Sequence, residues 1–183
     1  MSVKIDLLRH GELKGERVYC GVTNKKLTTL GWQQMVNACV KEQHWKNIVS
    51  SPLSRCLDFA KHLSNSLALP LQVDARWQEM NFGQWDGLSA QQIMAFDEKK
   101  LFQFWENPLK ITPTDGESLD DMQDRILDAW QALKKTNQPT LVVTHGGPIR
   151  ILCCHLENLP VERLFDIDVP YGHRRNISIS NEK

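Results

Sequence analysis

The sequence carries no net charge, its 22 lysines and arginines being matched by 22 aspartates and glutamates in 183 residues. That balance leaves no global field to hold a polyanion, so neither nucleic acid nor a membrane surface is an expected partner. No apolar run approaches the ~20 residues of a membrane span, and repeats and low-complexity segments are absent. The five cysteines, Cys20, Cys39, Cys56, Cys153 and Cys154, contain no C-x-x-C pair. With a strand pattern beginning at Val3 and no leader ahead of it, they read as reduced thiols of a cytoplasmic protein. No glycine-lysine phosphate loop is present, and no acidic cluster or paired-histidine spacing suits magnesium or zinc, so no metal or other cofactor is expected. The length fits one domain over residues 1–183, monomeric or homodimeric, able to bury roughly 70% of the surface of its unfolded chain.

What is present is concentrated where apolar runs stop. Residues 3 to 12, VKIDLLRHGE, form a short apolar run broken by Asp6 that ends in Arg9, His10, Gly11 and Glu12. The run suits a buried parallel strand, and such a strand delivers Arg9 and His10 to its carboxyl end, where open α/β sheets bind ligands. Gly11 allows a sharp turn or a close approach. A single Arg-His-Gly is weak evidence, but two more runs end alike: NIVSSPLSR reaches Arg55, and TLVVTHGG reaches His145 ahead of Gly146 and Gly147. Three strand ends carrying cations or imidazoles would converge on one edge of a sheet.

Taken in order, residues 13 to 26 form a polar, glycine-punctuated loop containing Arg17. Thr28 can cap a helix to about Glu42 with Leu30, Met35, Ala38 and Cys39 as its apolar stripe. A strand at 48–50 precedes a helix from about Ser54 to Leu67, with Leu57, Ala60, Leu63 and Leu67 at helical spacing and Arg55 in a first turn that favours anions. A strand near 71–73 leads into ARWQEMNFGQWDG, where Trp77 and Trp85 flank Glu79. Ser89 and Gln92 make a capping box for a short helix, and residues 99–106 read as another. After the loop 107–117, Ser118 and Asp121 open a long helix with Leu119, Met122, Ile126, Ala129 and Leu133 on its core face. A strand at 140–144 ends at His145; Gly146 to Pro148 open the next helix with N–H groups free for an anion. Short strands at 166–169 and 177–180 finish the chain. The alternation predicts an α/β fold, a three-layer α/β/α sandwich with a mostly parallel sheet.

Two arginines, two histidines and helix N-termini at one edge suit a tetrahedral dianion, and phosphate is the commonest. Without a metal the phosphoryl group needs a protein nucleophile, for which neutral imidazole is competent. His10, beside Arg9 and ahead of a flexible glycine, is favoured over His145. A carboxylic acid would then protonate the leaving oxygen and later activate water. Glu79, set among aromatics that raise a carboxyl pKa, is the suggested group, with a solvated loop residue as its bland alternative; spacing leaves Glu12 and Glu117 open. His44, His62, His155 and His173 are isolated and read as surface or core residues.

The motifs LLRHGE, SSPLSR, EMNFGQWDG and VVTHGG, in that order, resemble the histidine phosphatase superfamily, the phosphoglycerate-mutase-like group of hydrolases and mutases. The resemblance implies a phosphoglycerate-mutase-like fold, His10 as phosphorylated nucleophile, Arg9, Arg55 and His145 as phosphate pocket, and Glu79 as proton donor. FGQWDG, TDGESL and DVPYG are most similar to α-ribazole phosphatases of cobalamin synthesis, implying hydrolysis of α-ribazole 5′-phosphate. Phosphatases of other small metabolites, phosphoglycerate mutases and silent phospho-ligand binders share much of this pattern. The chain departs from it after Glu12, where Leu13, Lys14 and Gly15 stand in place of Thr or Ser and then Asn, and at Cys20, which precedes Gly21 where Ser or Thr is usual. These changes favour a hydrolase over a mutase. Candidate substrate-binding residues are therefore Arg9, Arg55, His145, Gly146, Gly21, Cys20 and Arg17, for a small phosphomonoester whose specificity is set by the segments 13–26 and 97–117.

Overall fold

The computed structural model describes residues 2–40 and 44–180. Its centre is the strand Thr140–Thr144 (β4), a β-branched run buried at every position, as befits a strand covered on both faces. On one side β4 pairs in parallel with Asn47–Ser50 (β2), which pairs in parallel with Leu71–Val73 (β3). On the other it pairs in parallel with Ser2–Arg9 (β1), which pairs antiparallel with the last strand, Arg174–Ser180 (β5). The order β3-β2-β4-β1-β5 puts the carboxyl ends of β1, β4 and β2 side by side.

Alternation along the strands divides the core into two layers. Ile5, Leu7, Val49 and Val142 face one way, toward the helices Ala90–Glu106 (α3), Leu119–Thr136 (α4) and Gly146–Leu156 (α5). Leu8, Ile48, Leu141 and Val143 face the other, toward Thr29–Cys39 (α1) and Ser54–Leu67 (α2). The result is the three-layer α/β sandwich expected of the alternating pattern. Asp6, the polar break in β1, is fully buried but satisfied, accepting from Trp45 Nε1 at 2.8 Å and Asn176 Nδ2 at 2.6 Å.

Thr28 caps α1 through its hydroxyl, which accepts from the Gly31 amide, while the expected end near Glu42 lies outside the described residues. The α1 stripe is rotated from the expected one. Leu30 is exposed and Gly31 is buried instead, because the helix passes against the chain leaving β1; a Cβ on Gly31 would lie 2.2 Å from the Glu12 carbonyl oxygen. The α2 face likewise centres on Cys56, Phe59, Ala60 and Leu63. The capping box at Ser89 and Gln92 is formed, and the two short helices expected after it are one element kinked at Asp97, whose carboxylate accepts from Trp85 Nε1 at 3.0 Å. Residues 166–169 are not a strand. The Ile167 and Val169 carbonyls there accept from the side chains of Arg150 and Arg9 rather than from a neighbouring strand.

Candidate active site

Arg9 ends β1, and His10 follows it with its backbone fixed on two sides. The His10 amide donates to the Thr144 carbonyl at 3.0 Å, and its own carbonyl accepts from Gly172 at 3.2 Å. The turn after His10 is so tight that a Cβ on Gly11 would lie 1.9 Å from the Gly31 carbonyl oxygen, so only glycine fits there. Turning back, the Gly11 carbonyl lies 2.8 Å from His10 Nδ1. A carbonyl can only accept, so the ring proton sits on Nδ1 and Nε2 keeps its lone pair. Nε2 makes no hydrogen bond to any described residue. Burial, and then the charge of Arg55, push the His10 pKa down to about 3, which keeps the imidazole neutral and nucleophilic at physiological pH.

His145, at the end of β4, stands with its ring centroid 5.2 Å from that of His10, but both its nitrogens are engaged. Arg55 Nε donates to its Nδ1 at 3.1 Å, so Nε2 carries the proton and donates to Ser51 Oγ at 2.8 Å. Burial and the same arginine hold its pKa well below the ordinary value. The structure thus separates the two imidazoles that strand position alone could only rank.

Arg55, in the first turn of α2, is fully buried and makes no ion pair with a carboxylate among the described residues. Its guanidinium donates instead to the carbonyls of Thr23 at 2.8 Å, Cys20 at 2.9 Å and Gly21 at 2.6 Å, which orient the fork. Arg9 donates to the Val169 carbonyl, lies over the Tyr171 ring, and keeps Nε buried without a hydrogen-bond partner. Buried donors are rarely left unpaired, and two guanidiniums beside an imidazole nitrogen with a free lone pair, Arg9 within the field of the Glu79 carboxylate, are an arrangement suited to an anion.

Glu79 closes the site from the loop after β3. Its carboxylate accepts from the Met80 amide at 3.1 Å and from the Gly147 amide, in the first turn of α5, at 3.2 Å, a position the helix dipole favours. It approaches so closely that a Cβ on Gly147 would lie 2.1 Å from its Oε1. The other two carboxylates left open by spacing have partners of their own, although Glu12 also lines the cavity over His10. Glu12 accepts from the Thr28 hydroxyl at 2.8 Å, and Glu117 pairs with Arg125 at 2.5 Å.

A cavity of ≈ 1020 Å³ opens over His10, Arg9 and Glu79. Gly146 packs against the side chains of Arg9 and Arg150, and Arg17 stands exposed on the rim of the cavity. Cys20 lines the cavity and Gly21 does not; both contribute carbonyls to Arg55, and the Cys20 thiol donates back to the Thr23 carbonyl at 3.2 Å. Among the described residues no group of three or more His, Cys, Asp or Glu side chains could hold a metal ion. Of the remaining histidines, only His173 joins the site's frame, and by its carbonyl, which accepts from the Arg9 amide at 3.0 Å.

Sequence reasoning did not assign Tyr171, Gly147 or Arg125. Arg125 donates to the carbonyls of Arg76, Gln78 and Glu79 at 2.7, 2.8 and 3.1 Å and so carries the Glu79 loop. No local signal marks it, since it reads as one more polar residue on the outer face of α4.

The chain is 35% identical over 158 residues to the bifunctional protein Rv2228c of Mycobacterium tuberculosis, a match covering 80% of this chain and 42% of that protein. It therefore spans about two fifths of the length of that relative. Among solved structures, Bacillus stearothermophilus YhfR superposes with a TM-score of 0.90 at 27% identity, over 98% of this chain and 92% of that one. The α-ribazole phosphatase from Shigella flexneri superposes with a TM-score of 0.89 at 24% identity, over 98% and 92%, and shows the shared fold. The model of the histidine phosphatase superfamily, branch 1, matches residues 5–183, and the chain belongs to that superfamily.

Proposed function

We propose that the protein is a phosphomonoesterase working through a phosphohistidine on His10, with no metal in the reaction. The observation that carries this reading is the difference between the two imidazoles: His10 has Nδ1 bonded to Gly11 and Nε2 unbonded, whereas His145 is bonded at both nitrogens.

His10 Nε2 attacks phosphorus, forming the N–P bond as the P–O bond to the alcohol breaks. Arg9 and Arg55 hold the phosphoryl oxygens, and their fixed charge takes the place a metal would otherwise fill. Glu79, in its protonated form, delivers a proton to the leaving oxygen. As a carboxylate it then removes a proton from water, whose oxygen attacks phosphorus and releases inorganic phosphate and neutral His10. One ester and one water give one alcohol and one phosphate.

For the substrate, α-ribazole 5′-phosphate is proposed from the segments FGQWDG, TDGESL and DVPYG. The test is phosphate release by chelator-treated protein from α-ribazole 5′-phosphate and a panel of small phosphoesters, with His10→Ala alongside. The reading expects a dead variant, an acid-labile phosphoenzyme on the native protein and a preference for α-ribazole 5′-phosphate. General hydrolysis without that preference removes the substrate; isomerisation of phosphoglycerate without net release removes the hydrolase; full activity of His10→Ala removes the nucleophile.

A further inference from the structure

Beside the phosphate cavity lies a second one of ≈ 440 Å³, within the ~300–1,000 Å³ typical of small-molecule sites. The two share Glu79, Tyr19, Phe82 and Trp105, but His10 and Arg9 line only the first. This asymmetry has a direction. In an in-line displacement at phosphorus the leaving oxygen departs on the side opposite His10, toward the proton donor, and the space continuing past Glu79 is the second cavity.

Its lining is aromatic. Tyr19, Phe82, Phe104, Trp105 and Phe165 surround it, with Tyr19 and Phe82 at 80° and Phe82 and Phe104 at 81° to one another. Trp105 Nε1 donates to the Tyr19 hydroxyl at 2.6 Å, satisfying both polar tips within the wall. Met80 and Met122 add polarizable sulfur. Among the described residues Glu79 and Arg150 are its only charged side chains, and Arg150 is anchored by its Nε to the Ile167 carbonyl at 2.9 Å. Edge-to-face walls of this kind favour another ring over an alkyl chain or a polyol. A leaving group with its own ammonium and carboxylate would lose water against mostly apolar walls, charged only at Glu79 and Arg150.

We infer that this cavity is the leaving-group subsite and takes an uncharged planar ring system, so that the substrates are phosphomonoesters of alcohols that carry such a ring, a ring-bearing riboside among them, rather than of sugars lacking one, serine or glycerate. The inference rests on the phosphomonoesterase reading above. Its walls come from both segments expected to set specificity, Tyr19 from the first and Phe104, Trp105 and Pro108 from the second.

The test uses two readouts. The first is kcat/KM for 2-(1-naphthyl)ethyl phosphate, 2-cyclohexylethyl phosphate, ethyl phosphate and phosphoserine. The second is Kd for 2-(1-naphthyl)ethylphosphonate against ethylphosphonate, which needs no turnover. Both are measured on the native protein, on Phe165→Asp, whose side chain is half exposed at the rim, and on Trp105→Ala. The expected result is at least tenfold tighter binding and faster hydrolysis of the naphthyl compounds, with the cyclohexyl ester in between and the gap reduced at least fivefold in each variant. Equal Kd values overturn the subsite even if every ester is hydrolysed, and so does a preference that both variants leave intact or that the cyclohexyl ester matches. Tight naphthylphosphonate binding lost in the variants, with no ester turned over, keeps the subsite and removes the phosphatase reading instead.

Discussion

The Arg9 guanidinium lies over the face of Tyr171, 4.2 Å from its ring centroid, and the same ring is 5.7 Å from that of His10. Tyr171 therefore restrains the arginine on the face not held by the Val169 carbonyl, and does so without consuming the donors an anion needs. A cation–π contact of this kind contributes about 0.5–2 kcal/mol. Tyr171→Phe is expected to keep vanadate affinity and kcat/KM within about twofold, while Tyr171→Ala lowers both by roughly 3- to 30-fold. Loss of affinity in the Phe variant would show that the hydroxyl, not the ring face, matters.

Gly147 makes a sharper prediction. Because a Cβ at that position would overlap Glu79 Oε1, Gly147→Ala displaces the carboxylate but leaves Arg9, Arg55 and His10 alone. The expected consequence is a fall in kcat on the order of 10²-fold, the lower range of general acid catalysis, on alkyl phosphates with unchanged vanadate binding. The kcat/KM for p-nitrophenyl phosphate, which reports only phosphoryl transfer to His10 with a leaving group that needs no proton, should be spared, while its kcat falls because Glu79 also activates the water of the second step.

Arg125 should show the same leaving-group signature at a cost in stability. Arg125→Ala frees three carbonyls and strands Glu117, for about 2–3 kcal/mol of lost stability by urea unfolding. The kcat/KM for alkyl phosphates should fall more than the kcat/KM for p-nitrophenyl phosphate. Equal losses on both substrates would make Arg125 a fold residue only.

The buried imidazoles predict an acid-sensitive fold. His10 titrates near 3 in the folded state against 6.5 unfolded, and His145 shifts the same way, so between those values the unfolded chain binds more protons. The stabilisation is complete above about pH 6.5 and is lost as pH falls toward 3, at up to ~1.4 kcal/mol per pH unit for each group. Urea midpoints at pH 7, 5.5 and 4.5 should decline less steeply for His10→Gln than for the native protein. A parallel decline would mean His10 is not buried neutral.

The strands, the three-layer fold and the meeting of Arg9, His10, Arg55 and His145 were legible because each depends on a local pattern: an apolar run with a cation or imidazole at its end, and a parallel order that aligns those ends. The strand expected at 166–169 failed for a tertiary reason, the side chains of Arg9 and Arg150 taking its carbonyls. Leu30 failed for another, the backbone crossing at Gly11 and Gly31 that turns α1. The choice among Glu12, Glu79 and Glu117 could not come from spacing, since what separates them is which partner each finds across the fold: Thr28, Gly147 or Arg125. Arg125 and Tyr171 escaped notice for the same reason, their roles being defined by carbonyls and a guanidinium distant in sequence.

The antiparallel closure by β5 also has a bearing on biogenesis. Arg9 and His10 precede by about 160 residues the groups that fix them, the His173 carbonyl, the Gly172 amide and the Tyr171 ring, which are synthesised later. Contacts of such long sequence separation form late. A ribosome-bound chain stopped before residue 171 would carry His10 without its frame, so the phosphatase activity proposed above should appear only as β5 docks and not gradually during synthesis.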